Sequence, residues 1–177
     1  MRAEMERFLG GVERRAYRMS EIATGNREEA LDIVQDAMLA LVRKYSDRPE
    51  AQWAPLFHRI LQNQIRDWQR RRSVRQKVFT WLKIGNEEDV AGEPLESLPD
   101  PRSEQPERGL QREALAETLE LALRRLPLRQ QQAFMLRAWE GLDTAATTDA
   151  MGCSAGSVKT HYSRALAALR GHLEVYR

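Results

Sequence analysis

The sequence has one cysteine, Cys153, and only three histidines, His58, His161 and His172. A lone thiol excludes an internal disulfide and suits a reducing compartment. The histidines are scattered, without cysteine or carboxylate partners at metal-ligand spacing, so no metal site is expected and each is read as surface or helix-edge packing. Long apolar runs are missing as well. Nothing approaches the roughly 20 residues that a membrane-spanning helix needs. The opening MRAEMERFLGG has no apolar stretch followed by a small-residue cleavage site, so no secretory signal is expected. These absences predict a cytoplasmic protein without membrane insertion. Aromatic residues are few, at 7%, yet 42% of the 177 residues are hydrophobic and 31% charged, enough for one ordinary domain or two small ones.

The net charge of +2 conceals a segregation. Arg66, Arg70, Arg71, Arg72, Arg75 and Lys77 follow one another with Asp67 as the only acid among them. Glu87, Glu88, Asp89, Glu93, Glu96, Asp100, Glu104 and Glu107 come next. A basic block beside an acidic one points to polyanion contact at the first and a repelling or self-shielding segment at the second, although a charge run taken alone is more often a solvated helix end.

Helical periodicity dominates the first half. Met5, Phe8, Leu9, Val12 and Ala16 form one amphipathic stripe, which Gly25 can stop. Asn26, with Glu29 three residues on, begins a second helix in a variant of the capping box. Its expected buried face is Ala30, Val34, Met38, Leu41 and Tyr45. After Ser46-Asp47-Arg48-Pro49, a third helix carries Leu56, Phe57, Ile60, Leu61, Ile65 and Trp68, and Pro55 fits its first turn, where no amide partner is lost. Between about Ile84 and Gln105, prolines and glycines sit among acids with few large apolar residues. Such a composition buries too little surface to offset ordering entropy and reads as a flexible acidic linker. Periodicity resumes with Leu115, Leu119, Ala122 and Leu126. Leu126-Pro127-Leu128 then makes a turn, and Gln130 to Trp139 reads as a helix stopped near Gly141. No strand alternation appears. The expected fold is all-α, with two small helical domains, an N-terminal helical bundle over 1–83 and a C-terminal helix-turn-helix domain over 110–177, joined by an acidic linker over 84–109.

Asp143 to Arg170 is the most informative stretch. Asp143 can cap a short helix ending at Gly152, and Ser154 can cap a second one after the Gly152-Cys153 turn. Two helices joined by a glycine-containing turn describe a helix-turn-helix. Projected at the helical period, Val158, Tyr162, Ala165 and Leu169 share one face, while Gly156, Lys159, Thr160, Ser163, Arg164 and Arg170 share the other. An outer face of small, hydroxyl and cationic residues without carboxylates can approach the major groove and take phosphates and base edges. Cys153 is expected to be a small buried side chain in the turn, and His161 to pack at the margin of the core face. The first helix, Thr144-Ala145-Ala146-Thr147-Thr148, is rich in threonine, which lowers helix propensity.

The motifs, taken in order, resemble the extracytoplasmic-function group of bacterial RNA polymerase sigma factors. Asp32-Ile33-Val34-Gln35-Asp36-Ala37 resembles that family's polymerase-binding helix. Arg59-Ile60-Leu61-Gln62-Asn63, followed by Asp67-Trp68 and Arg70-Arg71-Arg72, resembles its promoter-melting and minus-ten segment. Leu126-Pro127, Arg129-Gln130-Gln131, Glu140-Gly141-Leu142, Met151-Gly152-Cys153-Ser154, Gly156 to His161 and Arg164-Ala165 resemble its second conserved domain. The resemblance implies that Asp32, Gln35 and Asp36 bind core polymerase. It implies that Asn63, Arg66, Arg70, Arg71 and Arg72 serve the minus-ten element, and that Ser157, Lys159, Thr160, Ser163 and Arg164 serve the minus-thirty-five element. The implied partners are core RNA polymerase and promoter DNA, with room for an anti-sigma factor, and no cofactor.

Two other function classes are weighed against this one. A helix-turn-helix regulator with a helical sensor or dimerisation domain would share the C-terminal half but has no need of a second DNA-binding surface. An enzyme would need catalytic groups that are not evident. Glu28-Glu29 and Glu87-Glu88 are adjacent and point in different directions on a helix. No Ser-His-Asp set, phosphate-binding glycine loop or metal motif occurs.

Overall fold

A computed structural model describes residues 2–83 and 108–173. Among them every regular element is helical, and no helix is long and apolar enough to cross a membrane. The N-terminal domain comprises α1 (Arg2–Thr24), α2 (Arg27–Tyr45) and the long α3 (Trp53–Lys83), with a single 3-10 turn, Glu50–Gln52, before α3. The C-terminal domain comprises α4 (Arg108–Arg125), α5 (Leu128–Phe134), α6 (Thr144–Met151) and α7 (Ala155–Leu173). The segment read as an acidic linker lies outside the described residues, apart from Arg108 and Gly109, which already belong to α4.

Local chemistry sets the boundaries. Gly25, Gly141 and Gly152 adopt positive φ, a region that only glycine enters without steric cost, and each one follows or ends a helical stretch. The Asn26 side chain accepts from the Glu29 amide at 3.0 Å, and Asp143 accepts from the Ala146 amide at 2.7 Å, so both start signals operate as side-chain caps. Helix α5 begins at Leu128, earlier than expected, because Pro127 supplies the extended residue that precedes a helix start. A π-type stretch, Met135–Trp139, then carries the chain to Glu140, whose amide donates to the Met135 carbonyl five residues back.

Helix α2 packs against both α1 and α3, so its buried face is wider than a single stripe. Ile33 and Ala37 are buried beside Ala30, Val34 and Leu41, whereas Met38 and Tyr45 are only partly buried. Trp53, Phe57, Leu61 and Ile65 fill the centre of this domain, with Phe8 against both Trp53 and Phe57 at ring separations of 5.9 and 6.1 Å. The apolar core runs on into the C-terminal domain through Ala122, Leu123, Leu126, Met135, Ala165 and Leu169. A second cluster, Ala133, Leu136, Ala150, Met151 and Val158, holds α6 and α7 together. Leu115 departs from expectation. It is 45% exposed, whereas Leu119, one turn further along α4, is partly buried and Ala122, Leu123 and Leu126 are buried. Thr147 is fully buried, and its hydroxyl donates to the Asp143 carbonyl at 2.7 Å, so this polar group is not orphaned.

Candidate functional site

Helix α7 presents the face that its sequence promises. Val158, Ala165 and Leu169 are buried and Tyr162 half-buried, while Gly156, Lys159, Thr160, Ser163, Arg164 and Arg170 are exposed. The Ser154 hydroxyl accepts from the Ser157 amide at 3.2 Å and meets the Ser157 hydroxyl at 2.9 Å, so Ser157 belongs to the cap as much as to the outer face. The Thr160 hydroxyl is turned back onto the Gly156 carbonyl at 2.9 Å. No carboxylate stands on this face, so nothing on it repels a phosphate. Cys153 is half-buried against the second cluster rather than fully buried, because the turn after Gly152 leaves it at the domain edge.

On α2, Asp32, Gln35 and Asp36 are all exposed. Asp32 and Asp36 lie one turn apart and line a groove with Glu29, Gln64, Asp67 and Arg71, where α2 meets α3. Leu31, Leu39 and Val42 are also exposed, at 49%, 41% and 38%, and continue the face of Gln35 along the helix. Sequence periodicity gave no sign of them, since an apolar residue on an outward face reads as noise in a stripe.

The arginine-rich part of α3 divides into three behaviours. Arg71 is exposed. Arg70 is exposed too and pairs with Asp67 at 3.0 Å. Arg72 lies over the Trp68 ring at 5.3 Å and donates to the Thr24 carbonyl at 3.2 Å, which fastens α3 to the end of α1. Arg66 is half-buried and faces the other domain. Its Nη2 donates to the Asn63 amide oxygen and its Nη1 to the Met151 carbonyl at 3.2 Å, at the end of α6. Burial and the nearby Arg129 hold the Arg66 guanidinium below the usual arginine range. Asn63 is therefore engaged by Arg66, and Arg66 by the C-terminal domain.

Polar groups that the sequence reading missed make much of that inter-domain contact. Glu140, whose side chain is 5% exposed, receives Arg15 Nε at 2.9 Å and lies 3.4 Å from His58 Nε2. His58 is buried, contrary to its expected edge position, because α3 turns it toward the end of the π-type stretch. The buried Gln132 donates to the Gln62 carbonyl at 3.3 Å, and Arg18 pairs with Glu120 at 2.7 Å. Burial opposes ionisation of Glu140, yet the hydrogen bond and charge of His58, with Arg15, hold its carboxyl below the usual 4.5. A carboxylate with a depressed folded-state pKa contributes stability above its unfolded value, and that contribution is lost as pH falls through the folded value. Glu140→Gln is accordingly expected to lower stability at neutral pH by about 1–3 kcal/mol, since it removes a charged hydrogen-bond partner from a buried site. Melting temperatures of the two proteins should converge as pH falls below 4.5; a gap that does not change with pH would remove Glu140 ionisation as its cause.

Among the described residues no cluster of histidine, cysteine and carboxylates could hold a metal ion.

Residues 5–75 match the family described as sigma-70 region 2, and residues 116–169 match sigma-70, region 4. An RNA polymerase sigma-E factor of Streptomyces antibioticus is 31% identical over 147 residues, covering 82% of this chain and 71% of that protein. One from Streptomyces avermitilis is 30% identical over 148 residues, covering 82% and 72%. Among solved structures, the sigma factor RpoE of Bartonella quintana, crystallised in complex with the anti-sigma factor NepR, has the same fold. It gives a TM-score of 0.66 at 22% identity, covering 97% of this chain and 99% of that one.

Proposed function

This chain belongs to the sigma-70 family of RNA polymerase sigma factors, of the extracytoplasmic-function type, and from that membership we propose which of its residues perform each task. It directs core RNA polymerase to specific promoters in transcription initiation, and its partners are core polymerase and promoter DNA. The polymerase makes the bonds; the chain itself is read as non-enzymatic and cofactor-free, and as working in the cytoplasm, where template and polymerase are. The observation that carries this over a regulator with a sensor domain is the region 2 match over residues 5–75, a segment such a regulator would not have.

In the proposed division, Asp32, Gln35 and Asp36 on α2 engage the polymerase. Their exposure supports this, and so do Leu31, Leu39 and Val42 on the same helix, because protein interfaces combine an apolar centre with a polar rim. Asn63, Arg66, Arg70, Arg71 and Arg72 on α3 serve the minus-ten element. Ser157, Lys159, Thr160, Ser163 and Arg164 on α7 serve the minus-thirty-five element. The domain limits 1–83 and 110–177 follow the same division. An anti-sigma factor is included among the partners, on the likeness to the Bartonella protein that was crystallised with one.

The division carries a geometric consequence. The two promoter elements are separated by roughly 25 base pairs, or about 85 Å of B-form DNA. Arg66 and Arg70 nevertheless line the same crevice as Arg164 in the packed chain. Promoter engagement at both elements therefore requires the two domains to separate.

The arginines give a direct test. Each phosphate contact that is lost should lower the logarithmic salt slope of promoter binding by about 0.9. Arg70→Gln with Arg71→Gln is expected to reduce that slope by nearly 2 (about 0.9 for each contact) without changing the melting temperature, since both side chains are exposed. Arg72→Gln should also lower the melting temperature, because Trp68 and Thr24 lose their partner. Asn63→Ala should impair initiation on duplex promoters more than on pre-melted ones. A salt slope unchanged by removal of all three arginines would take this surface out of the assignment.

A further inference from the structure

We propose that the crevice between α3 and the α5–α7 face is a binding site for a compact polyphosphate anion, either the phosphate chain of a nucleotide or an inorganic polyphosphate, and that the bound anion holds the two domains packed. The crevice has a volume of about 760 Å³, within the size range of small-ligand sites. Arg66 and Arg70 line it from α3, Arg129 from α5, and His161 and Arg164 from α7, with no carboxylate among the described residues of its lining.

Three other arginines at the inter-domain contact are matched. Arg15 has Glu140, and Arg18 and Arg124 share Glu120. Among the described residues, only Arg70 of the crevice forms an ion pair, with the exposed Asp67, whose charge also acts on Arg66. Arg66 and Arg129 both donate to one neutral acceptor, the Met151 carbonyl, at 3.2 and 2.8 Å. Arg164 has no ion pair among the described residues. Like charges brought together in this way repel, and their mutual effect is visible. Arg66 is depressed by burial and Arg129, and His161 by burial, Arg129 and Arg164. A multiply charged anion would remove that repulsion and accept several charge-assisted hydrogen bonds at once.

Duplex DNA does not fit the role. Its major groove is wide enough to admit a helix, but here the two walls are held together, α3 to the end of α6 by the Arg66 bond to the Met151 carbonyl. The site exists only while the domains are packed. Since Arg70 and Arg164 are also assigned to promoter contacts, an anion here opposes promoter binding; that clause alone rests on the assignment above.

Titration calorimetry of the full chain with inorganic tripolyphosphate at constant ionic strength tests the site. One saturable site is expected, with affinity about tenfold weaker in Arg129→Gln and in Arg164→Gln, the loss that one charge-assisted hydrogen bond entails. Adenosine triphosphate as a second probe should bind equally if only the phosphate chain is recognised, and more tightly if the base adds contacts. Glu140→Gln gives a test by sign. It raises the net positive charge, so diffuse anion binding would strengthen, whereas a site that needs packed domains should weaken. Multiple weak sites, tighter binding by Glu140→Gln, or undiminished binding by Arg164→Gln would each overturn the proposal. Arg164 is exposed, so the last variant is expected to keep the fold. Promoter-directed transcription measured without the anion tests the family role separately, so failure of one leaves the other standing.

Discussion

Core RNA polymerase is expected to capture none of the chain once Asp32, Gln35 and Asp36 are all alanine, while the helical circular dichroism of the variant stays that of the parent. The folding half of this expectation comes from packing. Helix α2 is anchored by Ala30, Ile33, Val34, Ala37 and Leu41, and none of the three altered side chains is buried. Alanine also favours a helix more than aspartate does. The binding half comes from the way interfaces concentrate energy. Truncating a hot-spot residue costs about 2 kcal/mol or more, roughly thirtyfold in affinity, whereas rim residues contribute little. Which of the three is central is not set by exposure, so single changes spread over a wide range and only the triple change gives a decisive result. Leu39→Ala should add to the loss if the exposed apolar residues of α2 form the centre of that interface. Undiminished capture of the triple variant in a pull-down would remove α2 from the contact.

The second large effect concerns α7. Lys159→Ala with Thr160→Ala and Arg164→Ala should abolish discrimination between a promoter and the same DNA with an altered minus-thirty-five element. All three side chains are exposed, so the helix-turn-helix core of Met151, Val158 and Ala165 is untouched. Arg164→Ala alone should cost about 1–3 kcal/mol and relax preference at one base pair if its guanidinium makes a bidentate base contact. If it meets only phosphate, binding to every sequence should weaken alike and the salt slope should fall instead. Normal discrimination by the triple variant in a quantitative binding assay would move the reader off this face.

The parts of this protein that were legible in sequence are those governed by neighbours along the chain. Asn26 and Asp143 could be read as caps because their partners lie three residues on, and Gly25, Gly141 and Gly152 as stops because the helical period ends at each. The outward face of α7 followed from the same period. What escaped was set by partners distant in sequence. Arg15 and Glu140 are 125 positions apart, and nothing near either one announces the other. The burial of His58 depends on the same contact. Leu115 shows the converse. Periodicity offered it to a core that α4 does not extend that far. Arg66 illustrates a third case, where residue type suggested phosphate contact and the packed chain directs the guanidinium to the Met151 carbonyl. A one-dimensional pattern records which residues can reach a polyanion but not whether another domain has reached them first.

Transcription reconstituted from purified parts tests directly whether this chain directs polymerase to promoters. Core RNA polymerase free of any sigma factor is supplied with this chain and with genomic DNA fragments from its host, and the transcript start sites are mapped. Transcripts are expected to begin at a small set of shared sequence elements, to require the chain, and to disappear with the Asp32, Gln35 and Asp36 triple variant. Transcripts that are absent, or that start at random positions, with folded wild-type chain present in excess would contradict that role.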